Sequence, residues 1–209
     1  MGMEKYLQSC KATFWKEVFI AERDYIVQEF IGAKNILSVG CGPANIETDL
    51  GEQGFNVTGL DISKEALGYA PDRVRTIVGS AENMDFPSES FDAVLYVASV
   101  QFIEKYKEAI QESARVLRAE GKLLMMLLNP ESEFFKQKTK NPDSYINKIK
   151  HRNLMEIEAA VKKYYLVKTE YFLGIEGTRV FPSEDSHQAS LYIIKGTKKQ
   201  QKAEKGTPK

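Results

Sequence analysis

From Asn35 onward, short apolar runs alternate with amphipathic stretches, and this alternation constrains the fold more than any other feature. A strand buried on both faces reads as a continuous apolar run, and the crossover between two parallel strands needs a helix, so the pattern is that of βα units on a parallel sheet. Strands are expected at Ile36–Val39, Asn56–Leu60, Arg75–Val78, Phe91–Val97 and Lys122–Leu128, with helices at Ile46–Gly51, Ser63–Ala70 and Glu104–Ala119. Ser63 suits the N-cap of the second helix, and Gly121 is placed to end the third. Ahead of the first strand, Trp15, Val18, Phe19, Tyr25, Ile26 and Phe30 recur at helical spacing. Two late runs, Tyr165–Leu173 and Ala189–Lys195, are joined through Gly177, Pro182 and Ser183 without helical character, so they must pair antiparallel.

The fold class expected is therefore α/β: a Rossmann-like, doubly wound, seven-stranded and mostly parallel sheet with an antiparallel last strand and helices on both faces. The 209 residues, 43% of them apolar, suffice for one main domain. Residues 1–197 are assigned to it, including an N-terminal helical segment (1–33) and a polar, lid-like insertion (131–160). The last fifteen residues carry six lysines against the single acid Glu204, and residues 198–209 are expected to be a disordered basic tail. The 29 basic and 29 acidic residues cancel, so nothing global marks a nucleic-acid binder. Cys10 and Cys41 form no CxxC pair, which argues against a disulfide framework or a zinc site, and no metal is expected. The longest apolar run, Leu123 to Leu128, is far short of a membrane span. No apolar leader is read at Met1-Gly2-Met3, and the expected setting is cytoplasmic.

Chemistry concentrates in Ile36-Leu37-Ser38-Val39-Gly40-Cys41-Gly42-Pro43-Ala44-Asn45, a strand entering a glycine turn and then a helix. Glycines there let a ligand approach main-chain amides at a helix N-terminus, where anionic groups are favoured. Asp61 follows at the end of the second strand, where doubly wound folds use an acid to accept hydrogen bonds from ribose hydroxyls. The pair indicates an adenosine-type ligand. A dinucleotide fingerprint would need glycine or alanine where Asn45 stands, which weakens a nicotinamide reading.

At this point the chain resembles the class I S-adenosylmethionine-dependent methyltransferases, particularly the small-molecule group called type 11. The resemblance runs in order through Val39-Gly40-Cys41-Gly42-Pro43-Ala44, Gly59-Leu60-Asp61-Ile62-Ser63, Gly79-Ser80-Ala81-Glu82-Asn83-Met84-Asp85-Phe86-Pro87, Ser90-Phe91-Asp92-Ala93-Val94 and Glu112-Ser113-Ala114-Arg115-Val116-Leu117 up to Leu123. It implies S-adenosylmethionine as cofactor and a small-molecule methyl acceptor. The methionine end would sit over the amides of Gly40, Cys41, Gly42 and Ala44, with Asp61 on the ribose and Ile62 on one adenine face. Ser80, Ala81 and Glu82 would line the adenine edge, and Tyr96 to Ser99 would lie beside the sulfonium. The chain departs from the family at Ser38 and Ser80, where an acid is usual, at Ala44, where a third glycine is usual, and at the Ala119-Glu120-Gly121 corner.

A sulfonium already activates its methyl group, so in-line approach is the main catalytic demand and no catalytic residue is assigned. His151 and His187 are candidate bases or ordinary surface histidines; Trp15, with Tyr6 and Phe14, is a candidate roof or core. The basic run Lys136, Lys138, Lys140, Lys148, Lys150 and Arg152 with Tyr145 would suit RNA, or simply a solvated lid. Two rival readings remain: an RNA methyltransferase, and a cofactor-binding, non-catalytic partner subunit suggested by Ser38. The acceptor and the oligomeric state are not legible.

Overall fold

A computed structural model describes residues 12–200. Tyr6, Cys10 and residues 201–209 of the basic tail lie outside that range, so expectations for them are not addressed. Helix α1 (Thr13–Glu29) precedes β1 (Asn35–Val39), α2 (Asn45–Glu52), β2 (Asn56–Asp61), α3 (Lys64–Leu67), β3 (Arg75–Val78) and β4 (Phe91–Val97). Then come α4 (Tyr106–Val116), β5 (Leu117–Leu128), α5 (Glu133–Thr139), α6 (Leu154–Val161), β6 (Tyr165–Glu176), β7 (Arg179–Phe181) and β8 (Ala189–Lys198). The sheet order is β3-β2-β1-β4-β5-β8-β6-β7. The first five strands pair parallel, and β8 runs antiparallel between β5 and β6.

The sheet has eight strands, not seven. The additional one, β7, lies in the Gly/Pro/Ser-rich connection and pairs with the end of β6 through Gly174↔Phe181 to Glu176↔Arg179. Three residues are too short a run for an alternation pattern to announce. The last strand continues through Lys198, and the Lys199 N–H donates to the Tyr164 carbonyl at 2.9 Å, so order extends past the expected end of the domain at residue 197. Helix α4 stops at Val116 rather than near Gly121, because Leu117 is already extended and pairs with Phe91. The Ala119-Glu120-Gly121 corner is instead a bulge within β5, where the pairing with β4 steps from Phe91↔Leu117 to Ala93↔Lys122 and Glu120 takes φ 60°. A Cβ on Gly121 would lie 2.9 Å from the Arg118 carbonyl oxygen, which is why glycine stands there.

Side-chain parity divides the core into two layers. Leu37, Val39, Val94, Tyr96, Leu123, Met125 and Leu127 point to one face and meet Tyr106, Ile110 and Ala114 of α4 and Ile157 and Val161 of α6. Ile36, Ala93, Leu95, Leu124, Met126 and Leu128 point to the other and meet Val18 and Ile26 of α1, Ile46 and Leu50 of α2, and Phe134 and Phe135 of α5. Gln101 ties the turn after β4 to the end of β5: its buried amide donates to the Leu128 carbonyl at 3.1 Å and accepts the Leu128 N–H at 2.7 Å. Its own carbonyl receives the N–H groups of Lys150 and His151, which fixes the end of the insertion over the sheet edge.

Candidate active site

The carboxyl ends of β1, β2 and β4 form one edge, and the glycine loop crosses it. Gly40 and Gly42 have φ of 74° and 54°, the left-handed region that glycine enters without penalty. They serve different ends. A Cβ on Gly40 would fall 2.5 Å from the Ser99 Cβ, so this residue allows two chain segments to close together. A Cβ on Gly42 would meet nothing within 4 Å and would project into open space. Ala44 takes φ 58° where the resembled family has glycine, and Ala98 and Leu173, which line the cavity beside the loop, are also left-handed. Backbone strain of this kind persists where surrounding structure enforces it, commonly at functional sites.

Asp61 locks the loop. Its Oδ2 accepts the Gly42 N–H at 2.8 Å and its Oδ1 accepts the Ser63 N–H at 2.8 Å. Ser63 in turn caps α3 by accepting the Ala66 N–H, as its position in the sequence suggested. Gly40 and Cys41 donate to the Leu60 carbonyl and Ala44 donates to the Cys41 carbonyl. The loop amides expected to face a ligand are thus largely engaged with protein acceptors. The helix supplies others: the first backbone bond of α2 is Thr48 N–H to the Ala44 carbonyl, and the amides of Asn45 and Ile46 precede it, that of Glu47 being turned to its own carboxylate.

Two cavities meet at this edge, both lined by Gly40, Asp61, Ala98 and Phe102. The smaller, about 310 Å³, is bounded by Leu60, Ile62, Gly79, Ser80, Ala81, Glu82 and Ser99. Ile62 is 77% exposed at its mouth, an apolar surface that nothing in the chain covers among the described residues. Ser80 accepts the Glu82 N–H, while Glu82 accepts the Lys105 N–H at 2.9 Å, which turns that carboxylate toward the start of α4. The loop around them is held by Glu112, which accepts the Met84 N–H, and by Arg115, which donates to the carbonyls of Met84 and Phe86. The Arg115 guanidinium keeps the Glu112 carboxyl below the usual range.

The larger cavity, about 440 Å³, lies between the sheet, α1 and the insertion. Trp15, Phe19, Phe102 and Phe134 wall it, and Tyr145 and Lys148 of the turn after α5 close it. Trp15 and Phe134 meet edge to face at 6.4 Å, so the N-terminal helix and the insertion touch over this space. Two buried acids reach it. Glu47 of α2 accepts the Ser38 hydroxyl at 2.6 Å, and burial pushes its carboxyl up to about 7 against the lowering effect of that bond. Glu22 of α1 is 6% exposed, and burial, with Glu47 nearby, pushes it up to about 8. Sequence reasoning passed over both. A signal existed for Glu22, which falls on the same helical stripe as buried Val18 and Ile26.

Several expected site residues lie elsewhere. Tyr96 is a correction: it is fully buried in the opposite layer, its hydroxyl bonded to Ser113 and the Ala109 carbonyl, because its parity on β4 is the reverse of Val97. Cys41 lines the larger cavity as expected, but its Sγ packs against Gly59 and burial holds its thiol well above the usual value. His151 binds the carbonyls of Ile103 and Glu104 and stacks near Tyr106; His187 is exposed beside Asp185, and neither lines either cavity.

Residues 37–125, the span containing the loop, Asp61 and both cavity floors, match the family described as Methyltransferase domain. Over those residues the chain is similar to that domain. The fatty-acid O-methyltransferase of Mycolicibacterium smegmatis is 31% identical over 104 residues, 46% of this chain and 38% of that protein. The ubiquinone biosynthesis O-methyltransferase of Dechloromonas aromatica is 29% identical over 135 residues, 59% of this chain and 53% of that protein. The chain therefore spans about half or less of the curated relatives it matches. The likeness of fold extends further than the sequence match. A solved Thermotoga maritima S-adenosylmethionine-dependent methyltransferase, described as a possible histamine N-methyltransferase, superposes with a TM-score of 0.78 at 20% identity, covering 94% of this chain and 95% of that one. A second, from Archaeoglobus fulgidus, gives 0.74 at 15% identity, covering 92% and 98%. At such identities the likeness concerns the fold.

Proposed function

We propose that this protein is an S-adenosylmethionine-dependent methyltransferase acting on a small-molecule acceptor by in-line displacement. The observation that carries the reading is the pair of cavities joined at Gly40, Asp61, Ala98 and Phe102, one beside the acid that ends β2 and one under an aromatic roof. The smaller cavity suits an adenosine: Asp61 has lone pairs left for ribose hydroxyls, Ile62 offers an apolar face, and the Ser80 to Glu82 turn lies at the edge. A methionine carboxylate would find the free amides at the start of α2. The sulfonium supplies the activated methyl group. The protein's part is to hold the acceptor in line, exclude water with Trp15 and Phe134, and place a group that can take a proton.

The acid missing at Ser38 favoured a non-catalytic subunit in the sequence. Glu47 weakens that reading, because its carboxyl is delivered to the Ser38 hydroxyl from the neighbouring helix. A small acceptor is supported by the size of the larger, aromatic-walled cavity, about 440 Å³, and by the acceptors named in the relatives. The cytoplasmic setting belongs to the same proposal. Calorimetric titration with S-adenosylhomocysteine tests the reading; one-to-one binding, weakened by Asp61→Ala, is expected. Absence of binding, or saturation by NADH instead, would overturn it.

A further inference from the structure

The larger cavity contains more acidity than methyl transfer to a neutral oxygen or carbon requires. Glu22 is 6% exposed, faces this space from α1, and receives no hydrogen bond from any described residue. Ser190, 2% exposed on β8, lines the same cavity with a hydroxyl that has no partner among the described residues. Buried polar groups left unmatched are costly, and a ligand that completes them recovers that cost. The charged groups lining the cavity from its several elements are Glu22, Glu47, Asp61 and Lys148, three acids against one cation among the described residues. Aromatic faces at Trp15, Phe19, Phe102 and Phe134 surround them. Carboxylates within an aromatic wall are complementary to an ammonium group, which gains charge-assisted hydrogen bonds from the first and cation–π attraction from the second.

Resting on the methyl-transfer reading, we propose that the acceptor is an amine with an apolar body, bound through Glu22, and that Glu22 takes the proton the ammonium must lose. The step balances. The ammonium nitrogen passes a proton to the Glu22 carboxylate; the freed lone pair forms the N–CH3 bond as the C–S bond breaks and its electrons return to sulfur. The products are an N-methylated ammonium, a thioether and a protonated Glu22, which returns its proton to solvent. Burial keeps Glu22 largely protonated in the empty cavity; the ammonium placed beside it favours the ionised form, and a carboxylate of raised pKa is a stronger base than an exposed one.

The test compares probes of one shape and different heads, phenethylamine, 2-phenylethanol and phenylacetate, titrated into protein saturated with S-adenosylhomocysteine. The amine is expected to bind about tenfold or more tightly than the alcohol, with the acid weakest. Glu22→Gln should abolish the preference while leaving S-adenosylhomocysteine affinity within about twofold. Equal binding of amine and alcohol by the unaltered protein overturns the proposal and needs no variant, so a misfolded Glu22→Gln would not shield it. If Glu22→Gln instead weakens S-adenosylhomocysteine but not 5′-methylthioadenosine, which lacks the amino-acid end, the carboxyl serves the cofactor's own ammonium and the proposal falls. Failure of S-adenosylhomocysteine to bind the unaltered protein is a separate result, which overturns the methyl-transfer reading itself.

Discussion

Asp61 Oδ2 accepts the Gly42 N–H at 2.8 Å, which joins the acid that ends β2 to the loop that follows β1. One side chain therefore sets the loop and offers its remaining lone pairs to a ligand. Asp61→Ala should weaken S-adenosylhomocysteine about 10- to 100-fold, since a hydrogen bond to a charged group is worth about 1.5–3 kcal/mol. Asp61→Asn, which keeps one acceptor oxygen, should fall between. Unchanged calorimetric affinity in a folded Asp61→Ala would refute the assignment.

The two loop glycines should separate stability from binding. Gly40→Ala drives a methyl to within 2.5 Å of the Ser99 Cβ at φ 74°, and a loss of about 2–5 kcal/mol in denaturant unfolding is expected. Gly42→Ala meets no neighbour and should lose only about 1–2 kcal/mol from its φ of 54°. Its methyl enters the cavity, so ligand affinity should fall more than stability. The reverse ranking would mean that the loop does not face the ligand.

Glu22 should leave a mark on the pH dependence of stability. Its carboxyl is raised in the folded chain from 4.5 to about 8, so the folded state binds the proton more tightly than the unfolded state does. The stability this gives is complete below about pH 4.5, declines as pH rises and is lost by about pH 8, with Glu47 adding in the same direction up to about 7. Thermal melts should show Glu22→Gln gaining on the unaltered protein between pH 5 and 8, by an amount on the order of a few kcal/mol. Parallel curves would show that Glu22 is not buried as described.

Gln101 should matter to the roof although it touches no ligand. Gln101→Leu leaves the buried N–H and carbonyl of Leu128 without partners, a loss of about 2–3 kcal/mol, or about 5–10 °C in Tm for a chain of this size. A Tm within a degree of the unaltered protein would contradict the clamp.

Trp15 is the only tryptophan and packs on Phe134 across the larger cavity. Filling that cavity should change its emission, and Phe134→Ala should reduce the change. Emission unaffected by S-adenosylhomocysteine and by phenethylamine alike would remove Trp15 from the roof.

The order of strands and helices was legible because an apolar run buried on both faces and an amphipathic crossover leave a periodic trace along the chain. Gly40, Gly42 and Asp61 were legible for a related reason: a left-handed turn and a strand-end acid are local demands that particular residue types meet. What sequence could not reach depends on direction and on distant neighbours. Tyr96 and Val97 are adjacent in the chain, yet the pleat sends one into the α4 layer and the other to the cavity. Glu47 acquires its meaning only because α2 folds back to bring it to the Ser38 hydroxyl, and Glu22 only because α1 lays an acid of its apolar stripe over the same space. The sequence by itself determined a parallel α/β sheet with a glycine loop and an acid at its carboxyl edge. Tertiary structure decided which side chains share the cavity above that edge, because a side chain's burial and charge state are set by the elements packed against it and not by its neighbours in the chain.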